Sequence, residues 1–302
     1  MGRPAGNPEG NVIYTGPSPR GWHRLQLAAE CLQKYAWTYA IPPGEREKQQ
    51  ESSRPALVRG KLAHLAQAQH YAIMRAEQRA ARGEPDSPDA WCPPEVAVPL
   101  IAELEGGKEH VNHVMDTYNA YCNVFPYDYE KASMQIIAVE DLVSTHIGGY
   151  LLTGRLDLAY RDLSGRVFVV DHKTTGRITK NHKTFYGMSG QLLAYKRMAQ
   201  ETYGNVAGVK VNLLQLATDK TNAKFERVDL PVSPFLEARF EQVVIDIEHS
   251  IERQHEENRE YTEWPKAATE LACFTRYGAC DFIDRCRFGP QAMKGGNWTW
   301  KG

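Results

Sequence analysis

Between residues 135 and 174 lie three successive runs rich in Val, Ile and Leu, separated only by Gly-containing breaks. Residues 135–147, 150–162 and 167–174 each read as a strand, because β-branched and aliphatic side chains suit a pleated, half-buried surface. The periodicity then turns helical over 187–203, with Leu192, Leu193, Tyr195 and Met198. A fourth strand is expected at 209–217, a candidate fifth at 225–229, and a long helix at 234–257. A strand reached through a helical crossover lies parallel to its neighbour. The expected class is therefore α/β (α+β): a mixed central sheet flanked by helices.

Upstream, Leu25, Ala28, Leu32, Tyr35, Ala36 and Tyr39 recur at helical spacing, so a helix is expected over 23–40, stopped by Pro42-Pro43-Gly44. A second helix is expected over 55–82 with Val58, Leu62, Leu65 and Ala66 on one face, and a third over 95–125. The proline-bearing stretch 83–94 between them reads as a loop. We expect one integrated domain in three segments: a helical region at 1–130, a sheet-bearing core at 131–258 and a cysteine-bearing tail at 259–302. The chain has 302 residues, 42% hydrophobic and 24% charged, the profile of a globular protein. It has no apolar run of about 18 residues, so no membrane partner is expected. Met1–Gly10 lacks the basic and apolar regions of a secretory signal, and a cytoplasmic location is expected.

The chemistry concentrates in the second and third strands. The loop Asp162-Leu163-Ser164-Gly165 suits a three-residue hairpin with Gly165 in the left-handed region. Centring that turn on Ser164 pairs Asp157 with Asp171 and puts both carboxylates on one face, with Lys173 two residues along. Val167 to Val170 lead directly into Asp171, and carboxylates at the end of a buried strand are costly to desolvate alone. A hard cation such as Mg²⁺ or Mn²⁺ would supply the partner. The plainer alternative is a pair of salt bridges, Lys173 with Asp171 and Arg155 with Asp157. Net charge is −1, but no Asp or Glu occurs from His172 to Gln200, where Lys173, Arg177, Lys180, Lys183, Lys196 and Arg197 fall. Such a local field attracts a polyanion even at neutral net charge.

Asp157, Asp171-x-Lys173 and Gln191-x-x-x-Tyr195 together resemble the PD-(D/E)xK nuclease superfamily, and within it the RecB-type branch of CRISPR-adaptation nucleases and phage exonucleases. Gly60-Lys61-Leu62-Ala63-His64 is similar to that branch's upstream helical His element. The match runs over about 58–217. It departs from the pattern at Asp171, where Glu is common, and in lacking the prolines of the superfamily name. The resemblance implies a restriction-endonuclease-like αβββαβ core. It implies that His64, Asp157, Asp171 and the backbone carbonyl of His172 hold Mg²⁺ or Mn²⁺, that Lys173 orients water or stabilises phosphate charge, and that Gln191 and Tyr195 contact DNA or support the site. Arg177, Lys180 and Lys183 are expected to meet DNA. Function is expected to be metal-dependent DNA cleavage, as an exonuclease, alone, as a homo-oligomer, or with a helicase or recombinase.

Of six cysteines, Cys273, Cys280 and Cys286 cluster near the end of the chain. Four soft thiolates suit a structural zinc or an iron–sulfur cluster, and the spacing lacks the C-x2-C pairs of a zinc finger. Cys31-Leu32-Gln33-Lys34-Tyr35 resembles the N-terminal cysteine element of iron–sulfur members of the RecB-type branch, without its Pro. The resemblance implies a [4Fe–4S] cluster on Cys31, Cys273, Cys280 and Cys286, with zinc as the alternative. Cys92 and Cys122 match nothing. Two other functions stay open: a non-catalytic iron–sulfur or zinc nucleic-acid-binding protein, and an iron–sulfur redox protein. Neither needs the acid, lysine and glutamine set.

Overall fold

A computed structural model describes residues 18, 20–42, 55–84, 92–275 and 278–289. The readings made above for Met1–Gly10, for Pro43-Gly44, for 85–91 of the proline-bearing loop and for the tail beyond 289 lie outside the described residues. In chain order the elements are α1 (Trp22–Glu30), α2 (Leu32–Tyr35), α3 (Pro55–Ala81), α4 (Pro94–Glu105), α5 (Val111–Val124), α6 (Tyr127–Ser133), β1 (Met134–Ile147), β2 (Tyr150–Asp162), β3 (Val167–Thr175), α7 (His182–Gly187), α8 (Gly190–Tyr203), β4 (Val206–Gln215), β5 (Lys224–Leu230), α9 (Pro234–Glu256), β6 (Phe274–Thr275), β7 (Gly278–Ala279) and α10 (Ile283–Phe288). They divide into two compact units, one of Met1–Gly21 with Gln50–Ala238, the other of Trp22–Gln49 with Arg239–Gly302.

The first unit carries a five-stranded sheet in the order β1-β2-β3-β4-β5. Neighbouring strands are antiparallel except β3 and β4, which run parallel because α8 carries the chain across between them. This is the mixed α/β class expected. At the β2–β3 turn the Asp162 N–H donates to the Arg166 carbonyl at 3.0 Å and the Gly165 N–H to the Asp162 carbonyl at 2.9 Å. Gly165 sits at φ 77°, a left-handed conformation that costs a residue without a Cβ little. The ladder then pairs Arg161 with Val167 through Leu158 with Val170, and one more step in that register sets Asp157 opposite Asp171.

On one face of the sheet Ala68, Tyr71, Ala72 and Met74 of α3 pack on Met134, Ile136, Val139, Leu158 and Val170. On the other, α8 lies against β1 to β4, where its buried Leu192, Leu193, Ala194 and Met198 exclude water. Val98, Ala102 and Val114 of α4 and α5 cover the outer side of α3 at Val58, Leu62, Ala63 and Ala66.

Three helix expectations need correction. The helix expected over 23–40 breaks at Cys31, whose backbone is extended (φ −165°, ψ 109°) and whose Sγ accepts the Lys34 N–H at 3.4 Å. The chain restarts as α2 and ends in a π-turn over Ala36–Ala40. The helix expected over 95–125 breaks at Gly106, which caps α4 at φ 71°, before α5 begins. The helix expected from Gly187 begins at Gly190, with the separate α7 before it. Helices as short as α6 and α7 carry little periodicity and owe their stability to packing.

The second unit joins α1, α2 and the later part of α9 to the short elements after it. Arg24 of α1 is ion-paired with Glu248 of α9, both buried, and donates to the Tyr35 hydroxyl at 3.1 Å. Rings pack in the pairs Trp22–Phe240, Tyr35–Trp264 and Trp37–Phe282, with centroids 5.3, 6.0 and 5.2 Å apart.

Candidate active site

The period-two alternation of β3 sorts its residues between two environments. Val170 and His172 face α3, where His172 stacks on Tyr71 with ring centroids 5.8 Å apart and 10° between planes. Asp171 and Lys173 face α8. The Lys173 ammonium donates to Asp171 Oδ1 at 3.0 Å and to Gln191 Oε1 at 2.9 Å. Gln191 in turn donates from Nε2 to the Tyr195 hydroxyl at 2.9 Å, one helical turn along α8. Asp157 arrives from β2, and its Oδ2 accepts the backbone N–H of His172 at 2.8 Å. His64 reaches in from α3, its Nδ1 3.5 Å from the same oxygen. Six of the expected site residues therefore converge: His64, Asp157, Asp171, Lys173, Gln191 and Tyr195.

Burial grades across this group. The Asp171 side chain is 1% exposed and that of Asp157 11%, against 24% for Lys173 and 26% for His64. The carboxylates form the floor and the cation and imidazole the solvent side. Burial pushes both acids up to about 6, although Lys173 pulls each back down. Burial pulls Lys173 the other way, but Asp171 and Asp157 outweigh it and its ammonium is held above the ordinary lysine value. Burial, helped by Lys173, lowers His64 to about 4, so at neutral pH it is a neutral imidazole. Asp171 Oδ2 lies 2.9 Å from the ammonium but outside hydrogen-bonding angles, and has no hydrogen-bond partner. Among the described residues no three His, Cys, Asp or Glu side chains stand around one point as ready-made ligands, and Lys173 is the cation these carboxylates face. Of the two salt bridges considered from sequence, Lys173–Asp171 is present. Arg155 donates to the Glu140 carbonyl at 2.7 Å.

Two features were weak or invisible in the sequence. Glu140 sits between the pairs Val139–Leu158 and Asp141–Leu156, so the ladder sets it beside Asp157. It is 7% exposed and holds φ 53°, a conformation uncommon for a residue with a side chain. Burial and then the charge of Asp157 keep its carboxyl well above the usual range. Behind His172 runs a buried polar network. Asn212 of β4 donates from Nδ2 to His172 Nδ1 at 2.9 Å and to the Tyr121 hydroxyl at 3.0 Å. Tyr121 meets Tyr71 at 2.7 Å, and Arg227 donates to both hydroxyls and pairs with Glu130. The only sequence signal was a lone Asn between Val211 and Leu213 in an apolar strand.

The site thus sets a buried Asp on one strand, Asp-x-Lys on the next and a Gln-bearing helix that braces the lysine. The family model described as the PD-(D/E)XK nuclease superfamily matches residues 22–287. The chain belongs to that superfamily. No curated protein matches it. Two solved structures overlap it in part. The crystal structure of SSO0001 is 14% identical, with TM-score 0.27, covering 50% of this chain and 69% of the other. A candidate exonuclease from Eubacterium rectale is 12% identical, with TM-score 0.37, covering 64% of this chain and 76% of the other. Membership of the nuclease superfamily rests on the family match alone.

The remaining expected residues lie elsewhere. Arg177, Lys180 and Lys183 are exposed on the segment that leads from β3 into α7. Cys31, Cys273, Cys280 and Cys286 all belong to the second unit and are partly buried. The Cys280 N–H donates to the Cys273 carbonyl at 2.7 Å across the β6–β7 hairpin. Burial raises the Cys286 thiol, and Cys31, Cys280 and Cys273 add to that rise. Among the described residues no helix is long and apolar enough to cross a membrane.

Proposed function

We propose that this superfamily member is a RecB-like deoxyribonuclease that hydrolyses DNA phosphodiester bonds from strand ends with Mg²⁺ or Mn²⁺. The observation that carries the reading is the Lys173 ammonium, held between Asp171 and Gln191 beside a second buried carboxylate. A salt bridge made only for stability needs neither Gln191 nor Asp157, and replacing such a pair by apolar residues is often neutral. The donor set suits a hard divalent cation: two carboxylates, a neutral imidazole, and an Asp171 oxygen without a hydrogen-bond partner. His64, Asp157, Asp171 and the His172 carbonyl would hold it. When bound, the cation polarises the phosphate and lowers the pKa of a water.

The chain's own residues supply the rest. The His172 N–H fixes Asp157, and the network through Asn212 fixes the His172 ring, so the β3 backbone is held on both sides. Tyr195 orients Gln191, which orients Lys173, and the ammonium is left at the solvent side of the floor to hold a water or meet charge on a phosphate oxygen. Arg177, Lys180 and Lys183 would draw the backbone in. We also assign Cys31, Cys273, Cys280 and Cys286 to a [4Fe–4S] cluster, with zinc as the alternative. Support for it is that the four thiols share one compact unit and that Cys31, Cys280 and Cys273 all lie near enough to Cys286 to help raise its thiol. The three segments 1–130, 131–258 and 259–302 would then act as one domain, in the cytoplasm, alone or with a helicase or recombinase.

The test is digestion of end-labelled single- and double-stranded DNA by anaerobically purified protein with Mg²⁺ or Mn²⁺. Asp171→Ala and Lys173→Ala are expected to lose cleavage while keeping the wild-type circular dichroism. Undiminished cleavage by either variant overturns the assignment. A brown protein that bleaches in Cys286→Ser supports the cluster, and stoichiometric zinc in a colourless protein replaces it.

A further inference from the structure

The segment between Lys173 and Gln191 is tied to the site at both ends by the 2.9 Å bond between those two side chains. Within it, α7 has two unlike faces. Inward, Tyr186 is buried, and its phenol lies near enough to Lys173 to help raise the ammonium. Its ring meets Phe185 edge-on, with centroids 5.1 Å apart at 81°. Outward, Phe185 is 64% exposed and Met188 69% exposed. They are three residues apart on one side of the turn, with the Met188 N–H donating to the Phe185 carbonyl at 3.3 Å. Single exposed apolar side chains are ordinary on a protein surface. An exposed aromatic and an exposed thioether three residues apart, on the segment that joins Lys173 to Gln191 and carries the exposed cations Arg177, Lys180 and Lys183 with no acid from 172 to 200, are a different feature.

We propose that Phe185 and Met188 form a stacking platform for an unpaired nucleobase, so that the preferred substrate is a nucleic-acid strand with a single-stranded end. The inference rests on the nuclease reading and names the substrate class of that site. The occupant follows from chemistry. The cations call for a polyanion, and the apolar pair calls for flat uncharged faces at short intervals along it. An unpaired strand offers both, whereas bases inside a duplex are stacked on one another and show no free face. A thioether also packs well against an aromatic ring. Distance agrees: Met188 is three residues from Gln191, so their Cα atoms are at most about 11 Å apart. At about 3.4 Å per stacked nucleotide, that places the base within roughly three nucleotides of a phosphate at Lys173.

The experiment measures binding in the full-length Asp171→Asn protein, using an oligonucleotide with 2-aminopurine near its 3′ or 5′ end, single-stranded or in a blunt duplex. Stacking quenches this fluorophore. The platform predicts quenching of the single strand. With Phe185→Ala/Met188→Ala the quenching is lost and single-strand affinity falls about 10- to 100-fold, the worth of one base stack, while blunt-duplex affinity changes less than about twofold. Phe185→Trp restores quenching, which separates a stacking role from a merely structural one. Equal losses on both substrates, or unchanged quenching, overturn the proposal. So does a loss of binding to anionic phospholipid vesicles with no change in oligonucleotide quenching, since the patch would then be a membrane contact. Failure of the wild-type protein to cleave any of these substrates with Mg²⁺ or Mn²⁺ would instead count against the nuclease reading, and residual cleavage by Asp171→Asn against the site assignment, so these failures are distinguishable from that of the platform.

Discussion

Asp157→Asn is expected to make the protein more stable at neutral pH while removing a group that the proposed cation site uses. Burial raises the Asp157 carboxyl from 3.8 to about 6, which means the folded protein holds its charged form at a disadvantage. At ~1.36 kcal/mol per pH unit, that disadvantage is ~3 kcal/mol once the group is fully ionised. Between pH 3.8 and 6 the folded state binds more protons here than the unfolded state. Stability therefore falls as pH rises through this window, and the full cost is present above it. Asparagine has the same shape, and its amide oxygen still accepts the His172 N–H, so the 2.8 Å bond is kept. Lys173 loses a nearby charge but retains Asp171 at 2.9 Å. We expect a net gain of ~1–3 kcal/mol at pH 7.5, shrinking to near zero at pH 4. For a cooperative unit of this size each kcal/mol moves the melting temperature by about 2–4 °C. Urea or thermal melts of both proteins at pH 4 and 7.5 measure it. A variant less stable than wild type at pH 7.5, or a gain equal at both pH values, would refute the claim that Asp157 is an unfavourably ionised acid.

The same logic predicts that Mn²⁺ affinity falls as pH drops through about 6, because protons on Asp157 and Asp171 must leave before either can act as a ligand; calorimetry in two buffers near pH 6 should show proton release on binding. Glu140→Gln should leave stability at pH 7.5 unchanged or raise it, since burial and then the charge of Asp157 disfavour the ionised carboxyl; a variant clearly less stable than wild type in urea melts would show that the charge is favourable there. Arg227→Met should cost up to ~3–5 kcal/mol by leaving the Glu130 carboxylate, whose side chain is 1% exposed, with the Tyr71 hydroxyl and His70 beside it, and Arg227→Met/Glu130→Gln should recover most of the loss in urea melts.

The residues of the carboxylate floor could be read from the chain because their geometry is local. Side chains two apart on a strand share a face, side chains four apart on a helix share a face, and a turn centred on Ser164 with a left-handed Gly165 allows one register. Those rules place Asp157 against Asp171, Lys173 beside them and Gln191 beside Tyr195, and they need no knowledge of the rest of the molecule. The breaks at Cys31 and Gly106 escaped the same reading. Apolar periodicity continues across Cys31, where only the backbone conformation shows that the helix has stopped; at Gly106 the Gly106-Gly107 pair, with no apolar residue between Leu104 and Val111, was a stop signal that the reading passed over.

What pairwise spacing does not carry is contact between residues far apart in the chain. Asn212 meets His172 across 40 residues, Tyr121 and Arg227 are separated by 106, and each looks like an ordinary polar or aromatic residue in its own segment. Their roles follow from burial, since in a low-dielectric interior a polar group must find a partner wherever the fold brings one. Phe185 and Met188 make the complementary case. Their composition suggests a core, and only the packing of Tyr186 inward leaves them exposed. Local stereochemistry therefore reached as far as the acids and the lysine, and burial, a property of the folded whole, decided the shifts of their pKa values and the side chains that support them.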